Sequence, residues 1–227
     1  MSAPVIGQDL PRGWTEFLEA WFEVMTRFIS ASSVSRSADI PYWYNERSNA
    51  GHLAAAAWSL GGIAIQEFTV ERGEEGRDEL TRKARTGWCD LWIYVPTLGL
   101  EYDIEAKFQW LYSLKGGQTA CEKLVGQAVD QIRDYAPEKK RPCDSMAVCF
   151  LPVCNKSKSE AEATLDELEA WFATDYARSD NLLAIYKAPL GVAVDHVYSQ
   201  DGVRYFYPGV ALYGQLVRFT KLPVSLS

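Results

Sequence analysis

The chain has no apolar stretch approaching the roughly 20 residues that a membrane-spanning helix requires. Its first residues, MSAPVIGQDLPRGW, lack the basic-then-apolar layout of a secretory signal. Its five cysteines (Cys89, Cys121, Cys143, Cys149, Cys154) are odd in number and contain no CxxC pair. That argues against a disulfide framework and a zinc knuckle, and for reduced thiols. Two histidines, His52 and His196, are too few for a His-rich metal centre. The glycines of LKGGQTA are not followed by GK[ST], so no P-loop is present, and no GxSxG elbow exists for a hydrolase triad. Internal repeats, low-complexity tracts and dividing linkers are absent too. These absences set the expectation of a cytoplasmic protein without a membrane partner.

What is present is core material. Of 227 residues, 48% are hydrophobic and 13% aromatic, with eight Trp and twelve Tyr, enough for one packed domain. The net charge of −7 is not that of a protein that coats nucleic acid by charge alone. It is unevenly spread, however. Residues 77–141 hold eleven Lys/Arg against ten Asp/Glu, whereas the rest holds twelve against twenty. The middle third carries RKAR (82–85) and KKR (139–141), either solvated loops or the rim of a polyanion groove.

Periodicity sets the elements. Trp14, Phe17, Leu18, Trp21, Met25 and Phe28 recur at helical spacing. A second, alanine-rich helix follows YNERSN and ends at Gly61-Gly62. Strands are expected over 63–71, 88–95 and 101–108, the last two joined by a turn with Pro96 and Gly99. A helix over 119–136 would turn Leu124, Ala128, Val129 and Ile132 inward. SMAVCFLPV (145–153) is a continuous apolar strand, covered on both faces. A helix with Ala161, Leu165, Leu168 and Phe172 on one side follows. The strand NLLAIYKA comes next, then a hairpin turning at Asp201-Gly202. This order predicts an α/β fold, a three-layer α/β/α sandwich around a mixed sheet. It reads as one domain over 1–227, with a core at about 44–190, a helical extension at 1–43 and a β extension at 191–227.

The charges sit awkwardly for a sheet. In EYDIEAKF, alternation places Glu101, Asp103, Glu105 and Lys107 on one face and Tyr102, Ile104, Ala106 and Phe108 on the other. In WCDLWIYV, Asp90 shares a face with Trp88, Trp92 and Tyr94, while Cys89, Leu91, Ile93 and Val95 go opposite. Paired, the strands would bring Asp90 toward Glu105 and Lys107. Two ionised carboxylates in a half-buried cleft repel, and a hard divalent cation removes the repulsion. The plain alternative is a solvated strand face with a weak Glu105–Lys107 surface pair. Tryptophans 88, 92 and 110 are expected mostly in the core, with one of the three, not singled out, able to stack a base.

The constellation CD…YDIEAK resembles the PD-(D/E)XK nuclease superfamily, with Asp90 as the strand acid and Glu105-Ala106-Lys107 as the ExK. Cys89 stands where the usual proline would be. The resemblance covers about half the chain and implies a restriction-endonuclease-like core. It implies Asp90 and Glu105 as ligands of Mg²⁺ or Mn²⁺, with Glu46 and the Ile104 carbonyl as further candidates. Glu67 competes with Glu46. Lys107 would hold a phosphate oxygen or help activate water. GQAVDQIRDYA carries Gln131 and Tyr135 at the QxxxY spacing of the RecB-like branch, where the glutamine lies near the active site. That branch's His pattern and iron–sulfur cysteines are missing. The implied function is metal-dependent hydrolysis of phosphodiester bonds in nucleic acid, DNA ahead of RNA, in a setting of prokaryotic or phage defence. A protein partner for targeting and a homodimer are further expectations. The second reading is a nuclease fold that no longer cuts and serves as a binding or assembly module.

Overall fold

The structure is a computed structural model that describes residues 4–34, 40–72, 85–115, 117–135, 143–175, 180–189, 195–196 and 205–218. In chain order the elements are β1 (Val5–Ile6), α1 (Gly13–Val34), α2 (Glu46–Ser59), β2 (Ile63–Arg72), β3 (Arg85–Val95), β4 (Leu100–Phe108), α3 (Gly117–Tyr135), β5 (Asp144–Asn155), α4 (Lys158–Asp175), β6 (Asn181–Lys187), β7 (Asp195–His196) and β8 (Tyr205–Val217). Residues 82–84 and 139–141 of the basic patches, and the turn expected at Asp201-Gly202, lie outside the described residues. So do the side chains of Arg85, Tyr135 and Phe172. Among the described residues no helix is long and apolar enough to cross a membrane.

The stripe of α1 buries Trp14, Phe17, Leu18, Trp21 and Met25 completely. Phe28, expected in that stripe, is 37% exposed and lies edge-on to His52 at 5.6 Å. Ile29 takes the inner position instead, four residues after Met25 as Met25 is after Trp21. The Asn45 side chain caps α2 by accepting from the Ser48 N–H at 3.0 Å, which fixes Glu46 as its first residue. At the other end Gly61 adopts φ 75°, and the Gly61 and Gly62 N–H groups return to Trp58 and Ala57. That left-handed closure requires glycine and stops the helix. Small buried residues Ala50, Ala54, Ala56 and Ala57 let α2 lie close on the sheet. His52 packs, with Nε2 3.1 Å from the Pro41 carbonyl, and burial lowers its pKa from 6.5.

Six long strands and two of two residues form one mixed sheet in the order β1-β6-β8-β5-β4-β3-β2, with β7 also on β8. Among the described strands only β4 and β5 pair in parallel, and a parallel bridge between Leu111 and Val153 follows beyond the end of β4. Through the antiparallel β8 between them, β5 and β6 also run in the same direction. Parallel strands need crossovers, and α3 and α4 supply them. Helices cover both faces. Trp14 to Ile29 of α1 and Leu53 to Ala57 of α2 join Ile104, Ala106, Val148 and Phe150 in one core. Residues from Cys121 to Ile132 of α3 and from Ala161 to Trp171 of α4 join Ala147, Cys149, Leu151 and Ala211 in the other. The chain is thus α/β, with helices on both sides of a mixed sheet.

One expectation changes. Within the β extension expected from 191 onward, β8 is no appendage, because it runs between β5 and β6 in the middle of the sheet. The physical reason lies in β5, which is buried over Ser145–Cys154 and therefore needs hydrogen-bond partners on both edges. β4 satisfies one edge and β8 the other.

Candidate functional site

The site forms where two paired strands stop pairing. β3 and β4 run antiparallel from Val95↔Leu100 to Leu91↔Ile104, and there the ladder ends. One step further Asp90 would meet Glu105. Instead the Asp90 carboxylate takes the place of the missing strand: its Oδ2 accepts the Ala106 N–H at 2.7 Å. Lys107 Nζ donates to the Ala106 carbonyl at 2.7 Å and lies 3.3 Å from Glu105 Oε1. Both polar backbone groups of Ala106 are therefore gripped, one by the acid of β3 and one by the lysine of β4. This arrangement brings Asp90, Glu105 and Lys107 together around a single residue.

Burial sets the electrostatics. The plain alternative, a solvated strand face, does not hold: the side chains of Glu105 and Lys107 are only 3% and 17% exposed. Asp103, two residues earlier on the same face, is buried as well and receives the Cys143 thiol at 3.6 Å. The cause is the neighbouring strand and its cover. Ala147 and Cys149 of β5 stand beside Glu105 and Lys107, and both pack in the core with Cys121, Val125 and Ala128 of α3. The Ile104 carbonyl faces the Cys89 thiol at 3.5 Å.

The β2–β3 hairpin turns over at this point. Gln66↔Leu91 and Phe68↔Cys89 pair on either side, so Glu67 lies opposite Asp90, and Glu67 has φ 51°. For a residue with a Cβ that left-handed conformation costs about 1–2 kcal/mol. Strict alternation would put Cys89 and Leu91 in one core. Leu91 packs with α1 and α2, whereas Cys89 and Phe68 pack on the α3 side. The expected sharing of a face by Cys89 and Leu91 is therefore corrected, and the environment of Trp88 with it. Trp88 is 60% exposed and not core; Trp92 and Trp110 are half-buried.

An open cleft of about 700 Å³ lies over this turn, lined by Asn45, Glu46, Arg47 and Ala50 of the α2 region, Gln66 and Glu67 of β2, and Trp88 and Asp90 of β3. Both glutamates weighed from the sequence reach it. Glu67 is ion-paired with Arg47. Glu46, on the first turn of α2, holds its proton more tightly than an ordinary glutamate. Burial is the main cause, the Lys107 charge works against it and the Asp90 charge adds to it. Gln131 is not among the residues that line this cleft. It is half-buried on α3, and its Oε1 is buried without a hydrogen-bond partner among the described residues. Among the described residues no three His, Cys, Asp or Glu side chains gather around one point.

The shift at Glu46 has a consequence for stability. Below the ordinary carboxylate pKa of 4.5 the group is protonated in both states and contributes nothing. As pH rises the unfolded chain ionises first. The folded state then binds more protons, and stability falls until the folded carboxyl ionises too. Glu46→Gln removes that decline. In a buffer free of divalent ions the variant should melt about 1–3 °C above wild type at pH 7 and level with it near pH 4, a half-exposed group being partly screened. Thermal denaturation followed by circular dichroism checks this, and a variant less stable at pH 7 would contradict the assignment.

Among the cleft residues the sequence pointed to neither Arg47 nor Gln66, and it named Trp88 chiefly as core. Trp88 stands two positions before Asp90 on one strand, which was legible, but an aromatic residue in a strand defaults to the core. Comparison of the chain with family models, curated proteins and solved structures returns no match.

Proposed function

We propose that the chain is a divalent-metal-dependent nuclease of the PD-(D/E)XK type, on a restriction-endonuclease-like core, hydrolysing phosphodiester bonds in nucleic acid, DNA ahead of RNA. The observation that carries this reading is the double grip on Ala106. It joins an acid from one strand to the acid and lysine of the next where the strands part. The donor set suits the metal: Asp90, Glu105 and Glu46 offer hard carboxylate oxygens, the ligands that Mg²⁺ and Mn²⁺ prefer. Mg²⁺ usually takes one or two carboxylates, keeps several waters and meets substrate phosphate, so a three-residue protein cage is not required of the fold. Asp90 and Glu105 would hold the ion, with Glu46 reaching it across the cleft. When bound, such an ion polarises a phosphoryl oxygen and lowers the pKa of a water.

The chain's own groups do the rest. The Ala106 N–H fixes the orientation of the Asp90 carboxylate. The Lys107 ammonium sits beside Glu105 and is held by the Ala106 carbonyl, so its charge stays next to the acids that would meet the phosphate. Fixed charge of this kind stabilises negative charge that develops in a transition state, since it needs no reorganisation. Purified protein incubated with plasmid, single-stranded DNA and RNA should cleave DNA in Mg²⁺ or Mn²⁺ and stop when EDTA is added. No cleavage of any substrate, together with no metal uptake, would sink the nuclease and leave the binding or assembly module.

A further inference from the structure

We propose that Trp88 is a stacking platform for an unpaired base, so that the cleft beside Asp90 takes single-stranded nucleic acid in preference to intact duplex. This rests on the nuclease reading and names its substrate class. Trp88 is the most exposed large hydrophobic side chain among the described residues, at 60%. It lies on the wall of the cleft that also holds Asp90 and Glu46. Two strand residues span ~7 Å, so an indole at position 88 stands about one extended nucleotide from a phosphate held at Asp90. The cleft's volume of about 700 Å³ has room for a nucleotide.

The composition of the wall favours the same occupant. Asp90 and Glu46 line it with acid groups, the amides of Asn45 and Gln66 add groups that can meet base edges, and the indole adds a flat apolar surface. Arg47, ion-paired with Glu67 yet 74% exposed, adds a cation for the backbone. In a duplex the faces of a base are covered by its neighbours, so an exposed indole gains nothing from it unless the base is unstacked. A single strand presents those faces directly, and stacking on aromatic side chains is its common mode of binding.

The test measures binding rather than turnover. Full-length protein in Mg²⁺ is titrated against a labelled oligothymidylate and a duplex of matching length, both with cleavage-resistant phosphorothioate linkages, with fluorescence anisotropy as the readout. Wild type should bind the single strand at least about tenfold more tightly. Trp88→Ala should lose about tenfold or more on the single strand and little on the duplex, and Trp88→Phe should recover most of the loss. Because Trp88 is exposed, Trp88→Ala should melt within about a degree or two of wild type. Unchanged single-strand affinity in Trp88→Ala, or tighter duplex binding by wild type, overturns the inference while leaving a nuclease that cleaves duplex. Binding of neither substrate by wild type, with no cleavage in Mg²⁺, overturns the inference and the nuclease reading together.

Discussion

Asp90→Asn should reduce metal-dependent cleavage of DNA by about 10²–10³-fold or more while leaving the melting temperature within a few degrees of wild type. The asparagine oxygen can still accept the Ala106 N–H, so the bond that replaces the strand pairing survives and the hairpin keeps its place. The charge does not survive, and with it goes one of the two carboxylates proposed to hold the cation. Single-turnover cleavage and thermal melting, measured on the same preparations, separate the two effects. A variant that cuts at the wild-type rate would remove Asp90 from the chemistry. A collapse in melting temperature would show that the negative charge itself holds the β3–β4 junction together.

Lys107→Met is the second large effect, and it is expected in stability as well as activity. Glu105 has a side chain only 3% exposed, with the Lys107 ammonium 3.3 Å away. Removing one member of a buried ion pair takes from the other the charge that offsets its burial, which costs about 3–5 kcal/mol. For a chain of this size that corresponds to a fall of roughly 6–20 °C in melting temperature. The double variant Glu105→Gln with Lys107→Met removes both charges and should recover most of the loss, while cleavage stays absent. A double-mutant cycle on melting free energies reads the coupling directly. If Lys107→Met melts like wild type, the pair is not a stabilising contact. If the double variant cuts DNA, neither residue belongs to the mechanism.

Much of this arrangement was legible before any coordinates. Alternation along EYDIEAKF put Glu105 and Lys107 on one face, and the lone acid in WCDLWIYV stood on a strand that would pair with it. The alanine-rich helix α2 was readable from its composition, but periodicity set its body after YNERSN, whereas Asn45 caps it and Glu46 opens it. What could not be read was where the ladder stops. No local signal says that β3 and β4 separate after Leu91↔Ile104, yet that separation frees the Ala106 N–H for Asp90.

Burial was hidden for a related reason. Whether the charged face of β4 meets water depends on β5 alongside it and on α3 above, contacts made by residues 14 or more positions away. The place of β8 depends on the second edge of β5, which only a completed sheet defines. Trp88 was expected mostly in the core and is exposed instead, beside the step where Glu67, at φ 51°, breaks the two-residue period. Propensity and period describe a strand well along its regular part. They are silent at the irregular step, and here the irregular step carries the candidate chemistry.

The most direct measurement is anomalous diffraction from crystals of the wild-type protein soaked in Mn²⁺. The account requires a manganese peak in contact with carboxylate oxygens of both Asp90 and Glu105, with Lys107 beside them. A map with no peak at that junction at saturating Mn²⁺, or with manganese bound only elsewhere on the surface, would contradict it.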